Sequence, residues 1–190
     1  ALACPKLLRE DGSLQAAAVP EPSIFWELVN RSLPRRFLTL DPTESTVVPT
    51  VVGPCMALHV ERLKSVGYFD DRFFFFFEET DFCRRINRAG YHCLYVPAAE
   101  VVHFQGESAN KRPVRARIQF FQSRYIYFRK HTGILGVWLL ATGLFVKLTL
   151  NTALYGILAV GSRRFRDKFA VSRRIFSWHL RGCPSGWGLG

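Results

Sequence analysis

Three acidic side chains follow directly behind a run of phenylalanines. In DDRFFFFFEETDFCRR, residues 70–85, five consecutive Phe residues precede Glu78, Glu79 and Asp81. A carboxylate held close to a hydroxyl group can remove its proton as a general base, which accelerates a reaction by about 10²–10⁴-fold. Acidic residues in the first turn also stabilise a helix through its dipole, without any chemistry. These residues by themselves leave both interpretations open.

A helix is expected to carry the three carboxylates. In EETDFCRRINRAG, Phe82, Ile86 and Ala89 recur at helical spacing, and Gly90 is expected to end the helix. Stretches rich in β-branched and aromatic residues, STVV before it and YHCLYVP and AEVVHF after it, predict short strands. This alternation predicts an α/β fold with a mixed or mostly parallel sheet.

Charge is distributed unevenly along the 190 residues. Residues 1–110 contain 11 Lys and Arg against 14 Asp and Glu, whereas residues 111–190 contain 15 Lys and Arg against one acid, Asp167. Such asymmetry predicts that the basic part meets an anionic partner, either a lipid surface or nucleic acid. The 48% hydrophobic content argues against a disordered chain.

The C-terminal part contains two helical patterns. Residues 111–133 carry an apolar stripe at alternating four- and three-residue spacing among arginines, which predicts a basic amphipathic helix. The stretch 134–160 is long enough to span a bilayer, which needs about 20 residues. Lys147 near its middle would cost roughly 2.5–3.5 kcal/mol there. A helix lying in the membrane interface remains the alternative. The members of the amphipathic stripe are Val114, Ile118, Phe121, Tyr125 and Phe128.

These patterns favour a lipid surface as the partner. No helix-turn-helix or zinc-finger spacing supports nucleic-acid binding, and the basic tail adjoins a long apolar stretch. The cysteines are odd in number and none has CxxC spacing, which predicts reduced thiols on the cytoplasmic side of a membrane. They are Cys4, Cys55, Cys83, Cys93 and Cys183.

An ordered set of motifs resembles the second half of family 2 glycosyltransferases, most of all bacterial rhamnosyltransferase-like enzymes of the cell envelope. Between Gly53 and Gly106 the chain reads GPC, GYFDD, FFFFF, EETDFCRR, AGY, VP and VVH. These correspond to the family's G-x-C, G-F-D-E, aromatic segment, E-D-x-D-L-C-x-R, A-G-Y, V-P and V-x-H. CPKLLREDGSLQ and SRYIYFRKHTG also have counterparts there, so the likeness covers most of residues 3–133.

The resemblance implies a division of the chain and a fold. Residues 1–110 would form the acceptor-side half of a nucleotide-diphospho-sugar transferase domain of the A type, with a mixed sheet. Residues 111–133 would form the basic amphipathic helix, and residues 134–190 the membrane-associated helix and basic tail.

The resemblance also implies roles for the acidic residues. Glu79 would be the general base of an inverting sugar transfer, in place of the family's usual Asp. Glu78 and Asp81 would orient it or bind acceptor hydroxyls. The phenylalanines, residues 73–77, would pack this helix against the sheet and wall one side of the cleft, where drying strengthens electrostatics.

Four further residues are implied at the substrate and metal sites. Gly53 and Cys55 would lie beside the donor sugar, and Arg84 would meet phosphate, although a turn and a solvated helix face are the structural alternatives. His103 would coordinate a divalent metal, Mn²⁺ or Mg²⁺, or else serve as a hydrogen-bonded structural residue. The metal would also need the family's D-x-D motif, which is absent from these 190 residues.

The implied function is transfer of a sugar from a nucleotide-diphosphate donor to a lipid-linked or cell-envelope glycan at the cytoplasmic side of the cell membrane. Because the donor-binding half and its D-x-D motif are missing, the chain is expected to be a fragment, to be completed by another polypeptide, or to be inactive. A non-catalytic membrane-associated module is the alternative function.

Overall fold

The computed structural model describes residues 1–30, 43–104 and 111–189. The chain divides into two compact units, unit 1 with residues Ala1–Glu107 and unit 2 with residues Ser108–Gly190. This division lies three residues before the predicted boundary at residue 110. That boundary and Gly106, where the family motifs end, lie outside the described residues.

A mixed sheet forms the centre of unit 1, in agreement with the predicted α/β class. The described strands are β1 Leu2–Leu8, β2 Leu14–Gln15, β3 Ala18–Val19, β4 Thr46–Val48, β5 Thr50–Val51, β6 Ala57–Leu58 and β7 Cys93–Val102. The strand order is β2-β1-β7-β4, and β6 also pairs with β1. The β1–β7 pair is parallel, whereas β2, β6 and β4 join antiparallel, and β3 and β5 form a separate antiparallel pair.

The prediction of two strands after Gly90 is wrong, since β7 is one strand of ten residues. Its register against β1 shifts between Pro5, which pairs with Val96, and Lys6, which pairs with Glu100. An irregularity of this kind absorbs extra residues without ending the strand. Pro5 has no backbone N–H to donate at this point, which is where proline is tolerated in a sheet.

Among the residues of unit 1 that the structure describes, there are three helices, α1 Ile24–Leu28, α2 Val60–Leu63 and α3 Glu78–Arg88. The last of these carries the acidic cluster, as predicted. Phe82, Cys83 and Ile86 of α3 are fully buried in the core, while Ala89 is exposed at the helix end. Gly90 follows with φ of +81°, a left-handed conformation that glycine adopts without steric cost.

An ion pair within α3 fastens the preceding loop to the helix. Asp81 is fully buried, and Arg85 Nε donates to its Oδ2 at 2.8 Å. The same guanidinium donates to the carbonyl oxygens of Val66 at 2.8 Å and Gly67 at 3.3 Å, and also to that of Tyr68. The carboxylate therefore holds the arginine in the position where it satisfies three loop carbonyls.

Unit 2 consists of helices. α4 spans Pro113–Leu158, α5 spans Arg163–Leu180, and a short 3₁₀ turn spans Ser185–Trp187. Gly133, with φ of 75° and ψ of −172°, interrupts α4, so we call residues 113–132 α4a and residues 134–158 α4b. Ile118, Phe121 and Phe128 of the predicted amphipathic stripe are buried in α4a, while Val114 and Tyr125 are half-buried.

α5 runs back along α4b in the opposite direction. A Cβ at Gly156 would lie 3.3 Å from the Phe169 ring, and Phe145 stacks on Phe176 with a centroid separation of 5.4 Å. Between these contacts, the hydroxyls of Thr152 and Ser172 lie 2.5 Å apart. Within the described part of the chain, α4 alone has the length and apolar character of a candidate membrane span.

We predict that Asp81→Asn destabilises unit 1 by about 3 kcal/mol, the lower end of the range for breaking a buried ion pair. The reason is that Arg85, which is 19% exposed in its side chain, loses its only partner within α3 that carries a charge of opposite sign. Glu61→Gln breaks the exposed pair with Lys64 and should cost less than about 1 kcal/mol. Denaturant unfolding of both variants tests this, and equal losses would contradict the structural role of Asp81.

Candidate active site

One face of α3 docks along residues 49–53, and this contact positions the acidic cluster. Every fourth residue of the helix meets every second residue of the segment, with the two chains running in opposite directions. Four residues of helix rise about 6 Å and two residues of strand about 6.6 Å, so the contacts stay in step. They are Asn87 Nδ2 to Pro49 O at 2.8 Å, Cys83 to the Val51 backbone, and Glu79 beside Gly53.

Glu79 lies against the exposed backbone of Gly53. A Cβ built at Gly53 would lie 3.6, 3.7 and 3.9 Å from Cβ, Cγ and Cδ of Glu79. Gly53 therefore places no side chain against Glu79, which is half-buried. The structure brings these two predicted site residues together, although 26 positions separate them in the chain.

Buried thiols fill the space between this helix and the sheet. Cys83 is hydrogen-bonded to Cys93 at the start of β7, which together with burial raises the pKa of Cys83. Burial also raises the pKa of the Cys4 thiol to about 12, with further contributions from Cys93 and Cys55. Cys55, predicted to contact the donor sugar, is thus a partly buried neighbour of Cys4. The described cysteines are free thiols, as predicted.

Glu78 differs from its neighbour in its electrostatics. Burial raises the pKa of Glu78 above the usual value of a glutamate, and backbone hydrogen bonding opposes this only in part. A carboxylate with a raised pKa is a stronger base, which is a common feature of catalytic sites. Glu78 is therefore a second candidate for the proton acceptor, beside Glu79.

The residues just before α3 adopt a conformation that the sequence did not predict. Phe76 and Phe77 have φ of 68° and 67°, in the left-handed region that costs a non-glycine residue roughly 1–2 kcal/mol. Phe73 and Phe77 are buried, whereas Phe74 is 64% exposed. Only part of the phenylalanine run is therefore a packed wall, and the buried rings hold a strained turn that aims the start of α3.

Two other predicted residues already have protein partners. Asp81 is fully buried with Arg85, and Arg84 Nη1 lies 2.8 Å from Glu21 Oε1. Arg85, which together with Arg84 was a candidate phosphate contact by sequence, is instead the ion-pair partner of Asp81. The signal was present, because an arginine four residues after an aspartate on a helix lies within reach of it.

His103 lies beyond the end of β7, bound to β2. Its Nδ1 is 2.9 Å from Nε2 and 3.2 Å from Oε1 of the buried Gln15 amide, and its backbone N–H donates to Leu8 O at 2.9 Å. Among the residues that the structure describes, no group of three or more His, Cys, Asp or Glu side chains is arranged to hold a metal ion. The described residues therefore do not build a metal site by themselves.

Comparison with known families identifies the class of protein. The model of the family described as glycosyl transferase family group 2 matches residues 36–185. The match covers most of the chain, including α3 and its acidic cluster, and it extends through α4 and α5. The chain belongs to this family, as its motifs predicted, and the mixed sheet of unit 1 agrees with a nucleotide-sugar transferase fold.

Two curated relatives match part of the chain. Both are N-acetylglucosaminyl-diphospho-decaprenol L-rhamnosyltransferases of Mycobacterium tuberculosis, from strains CDC 1551 and H37Rv, and both are 30% identical over 140 residues. The alignment covers 67% of this chain and 45% of each relative, so the chain spans less than half the length of the relatives that it matches. No solved structure matches the chain significantly.

We predict that the free energy of unfolding of the Glu78→Gln variant increases relative to that of the parent as pH rises from about 4 through neutrality. Because the pKa of Glu78 is higher in the folded than in the unfolded state, the folded parent keeps its proton at pH values where the unfolded chain has lost it. The free energy of unfolding of the parent therefore decreases as pH rises through this window. Glutamine does not ionise and avoids that loss. Denaturant unfolding at several pH values measures the difference, with Glu10→Gln at an exposed position as the control for loss of one negative charge. A difference that shrinks with pH would contradict burial of Glu78.

Proposed function

We propose that these residues form the acceptor-side half of an inverting glycosyltransferase in which Glu79 is the general base. The donor would be a nucleotide-diphospho-sugar and the acceptor a lipid-linked or cell-envelope glycan. Membership of glycosyl transferase family group 2 supports glycosyl transfer. The observation that carries the assignment of the base is the contact of Glu79 with the exposed backbone of Gly53.

The chemistry that this geometry supports is a single displacement. Glu79 accepts the proton of an acceptor hydroxyl while that oxygen forms a bond to the anomeric carbon of the donor. The bond from this carbon to the diphosphate breaks, and the nucleoside diphosphate leaves with the electron pair. Attack opposite the leaving group inverts the anomeric configuration.

The surroundings of Glu79 suit this role. Gly53 presents no side chain, so an acceptor can approach the carboxylate along its flank. Glu79 sits in the first turn of α3, where the helix dipole favours a negative charge. Asp81 is buried in an ion pair with Arg85, so we propose that it stabilises the position of α3 and does not contact the acceptor.

The acceptor class is inferred from the relatives and from unit 2. The mycobacterial relatives carry in their names an acceptor in which a sugar is joined through diphosphate to decaprenol, a lipid. A lipid-linked acceptor requires the enzyme to work at a membrane. The apolar α4b and the basic residues of α5 fit a position on the cytoplasmic side of the cell membrane.

A divalent metal is common in family 2 enzymes, and its ligands in a complete enzyme would have to come mainly from outside the described residues. The glutamate at position 79, where the family usually has aspartate, favours a second candidate, a non-catalytic membrane-associated module derived from such an enzyme.

In a polypeptide that joins these residues to a donor-binding half, Glu79→Gln should lower kcat by about 10²-fold or more, the range for a lost general base. Glutamine preserves size and hydrogen bonding but accepts no proton. The affinity for the nucleotide-sugar should change little, since the donor contacts lie mainly in the other half. Steady-state transfer assays with a panel of nucleotide-sugars measure both quantities.

Two matched variants separate the candidate bases. Glu79→Asp restores the residue usual in the family and should retain or raise activity, and Glu78→Gln should cost less than Glu79→Gln. If Glu79→Gln transfers sugar at the parental rate while Glu78→Gln abolishes transfer, Glu78 is the base. If the parent transfers sugar and neither variant changes the rate, neither of these carboxylates is the base. If the parent shows no activity with any donor, the non-catalytic alternative is favoured.

A further inference from the structure

α4b presents a broad apolar face that no part of the described structure covers. Most of its exposed large side chains fall on one side of the helix, and none of these is charged. Leu140, Leu144 and Leu148 form the opposite stripe, which is buried. The uncovered residues are Leu135, Trp138, Leu139, Val146, Leu150, Leu154 and Ile157.

The contacts of α5 limit how this face can enter a bilayer. α5 lies along α4b from Phe169 beside Gly156 to Phe176 beside Phe145. If α4b crossed the membrane upright, this stretch of α5 would be carried to the same depth. The exposed Arg173 and Arg174, which lie between those contacts, would then sit near the bilayer centre, where charged side chains are least tolerated.

The same arrangement suits a helix pair lying flat on the membrane. Packed helices have axes about 8–10 Å apart, and an interfacial helix sinks about 5–10 Å into the boundary between headgroups and acyl chains. α5 packs along the flank of α4b that carries Phe145, Thr152 and Gly156, which is turned away from most of the apolar face. With that face directed downward, α5 therefore lies nearer the headgroups. Residues 163–174 of α5 hold six Lys or Arg against one acid, Asp167.

Unit 2 carries a second group of positive charges at its surface. Arg112 and Arg115 at the start of α4a and Arg174 of α5 line one open cavity of about 530 Å³. Three guanidinium groups around one cavity match the negative charge of lipid phosphates, since arginine binds phosphate with paired hydrogen bonds. Charge complementarity thus identifies an anionic lipid surface as the occupant, rather than a second copy of this basic chain.

We propose that α4b and α5 form an in-plane membrane-docking pair: α4b inserts its apolar face into one leaflet without crossing it, and α5 meets the anionic headgroups. Lys147, which is half-buried on the flank of α4b, then lies near the headgroup region instead of the bilayer centre. Both ends of α4b stay on the side of the membrane that holds unit 1. This inference concerns the membrane surface only and is independent of which carboxylate serves as the base.

Labelling from the two sides of the membrane tests the topology. Cys55 and Cys183, the partly buried thiols, are first replaced by Ser to give a background of low reactivity. Gly161→Cys then marks the turn between α4 and α5, where a side chain meets open space, and Ser13→Cys marks an exposed turn of unit 1. Sealed membrane vesicles that contain the chain are prepared in right-side-out and inside-out orientations, and a membrane-impermeant maleimide is added to each. Both positions should label from the same side, and labelling from opposite sides would show that α4b spans and overturn the proposal.

Vesicle binding tests the surface itself. Leu135→Glu with Leu150→Glu places two charges on the apolar face and should weaken partitioning onto phosphatidylglycerol vesicles by about ten-fold or more, because binding scales with buried apolar area. Val60→Glu, at an exposed apolar position of unit 1, is the matched control and should bind as the parent does. Arg173→Gln with Arg174→Gln should weaken binding to these vesicles by about ten-fold or more at low salt, and much less on phosphatidylcholine vesicles.

Thermal unfolding of each variant checks that it folds. We expect folding to be retained because the altered side chains are exposed. Sedimentation analysis in the absence of lipid measures self-association of the chain. Parental vesicle binding by the Leu135→Glu, Leu150→Glu variant would overturn the proposal. The proposal would also be overturned if the parent does not bind vesicles but forms a stable dimer that the Leu135→Glu, Leu150→Glu variant does not form. In that case the apolar face would be a contact with a second copy of the chain.

Discussion

The docking of α3 on residues 49–53 is the contact on which the candidate site depends. A helix and a strand repeat at different intervals, yet four helical residues and two strand residues cover nearly the same length, so Asn87, Cys83 and Glu79 all find partners along one line. A shift of one residue along α3 would turn each of these side chains by about 100°. The position of Glu79 beside Gly53 thus depends on the contacts of Cys83 and Asn87, which lie one and two turns further along α3.

The three carboxylates of the acidic cluster lie in different environments. Asp81 is fully buried, and its ion pair with Arg85 offsets part of the cost of burying a carboxylate. Glu78 is partly removed from solvent and has a raised pKa, and Glu79 flanks the uncovered backbone of Gly53. The left-handed conformations of Phe76 and Phe77 are retained against their steric cost, and strain of this kind is common where a protein must aim a functional element.

In unit 2, one pair of helices separates apolar surface from charge. α4b is apolar on nearly all sides. Its stripe of Leu140, Leu144 and Leu148 is buried, whereas the opposite stripe is uncovered. α5 turns Ile175 and Trp178 inward and its basic residues outward. The pair has the amphipathic character that a single apolar helix lacks, and for this reason the uncovered face suits the surface of a leaflet better than a crossing of the bilayer.

The sequence by itself determined the elements whose signals are local. Helical spacing and Gly90 predicted α3, alternation of element types predicted the mixed α/β sheet, and the order of motifs predicted the family. Only the tertiary structure decided which carboxylate is buried, which lies beside Gly53, that the turn at Phe76 and Phe77 is left-handed, and that β7 is a single strand. Periodicity reports the conformation of neighbouring residues, whereas the environment of each carboxylate depends on surfaces brought together from distant parts of the chain. Burial and electrostatics, which set the chemistry of an ionisable group, arise only from that assembly.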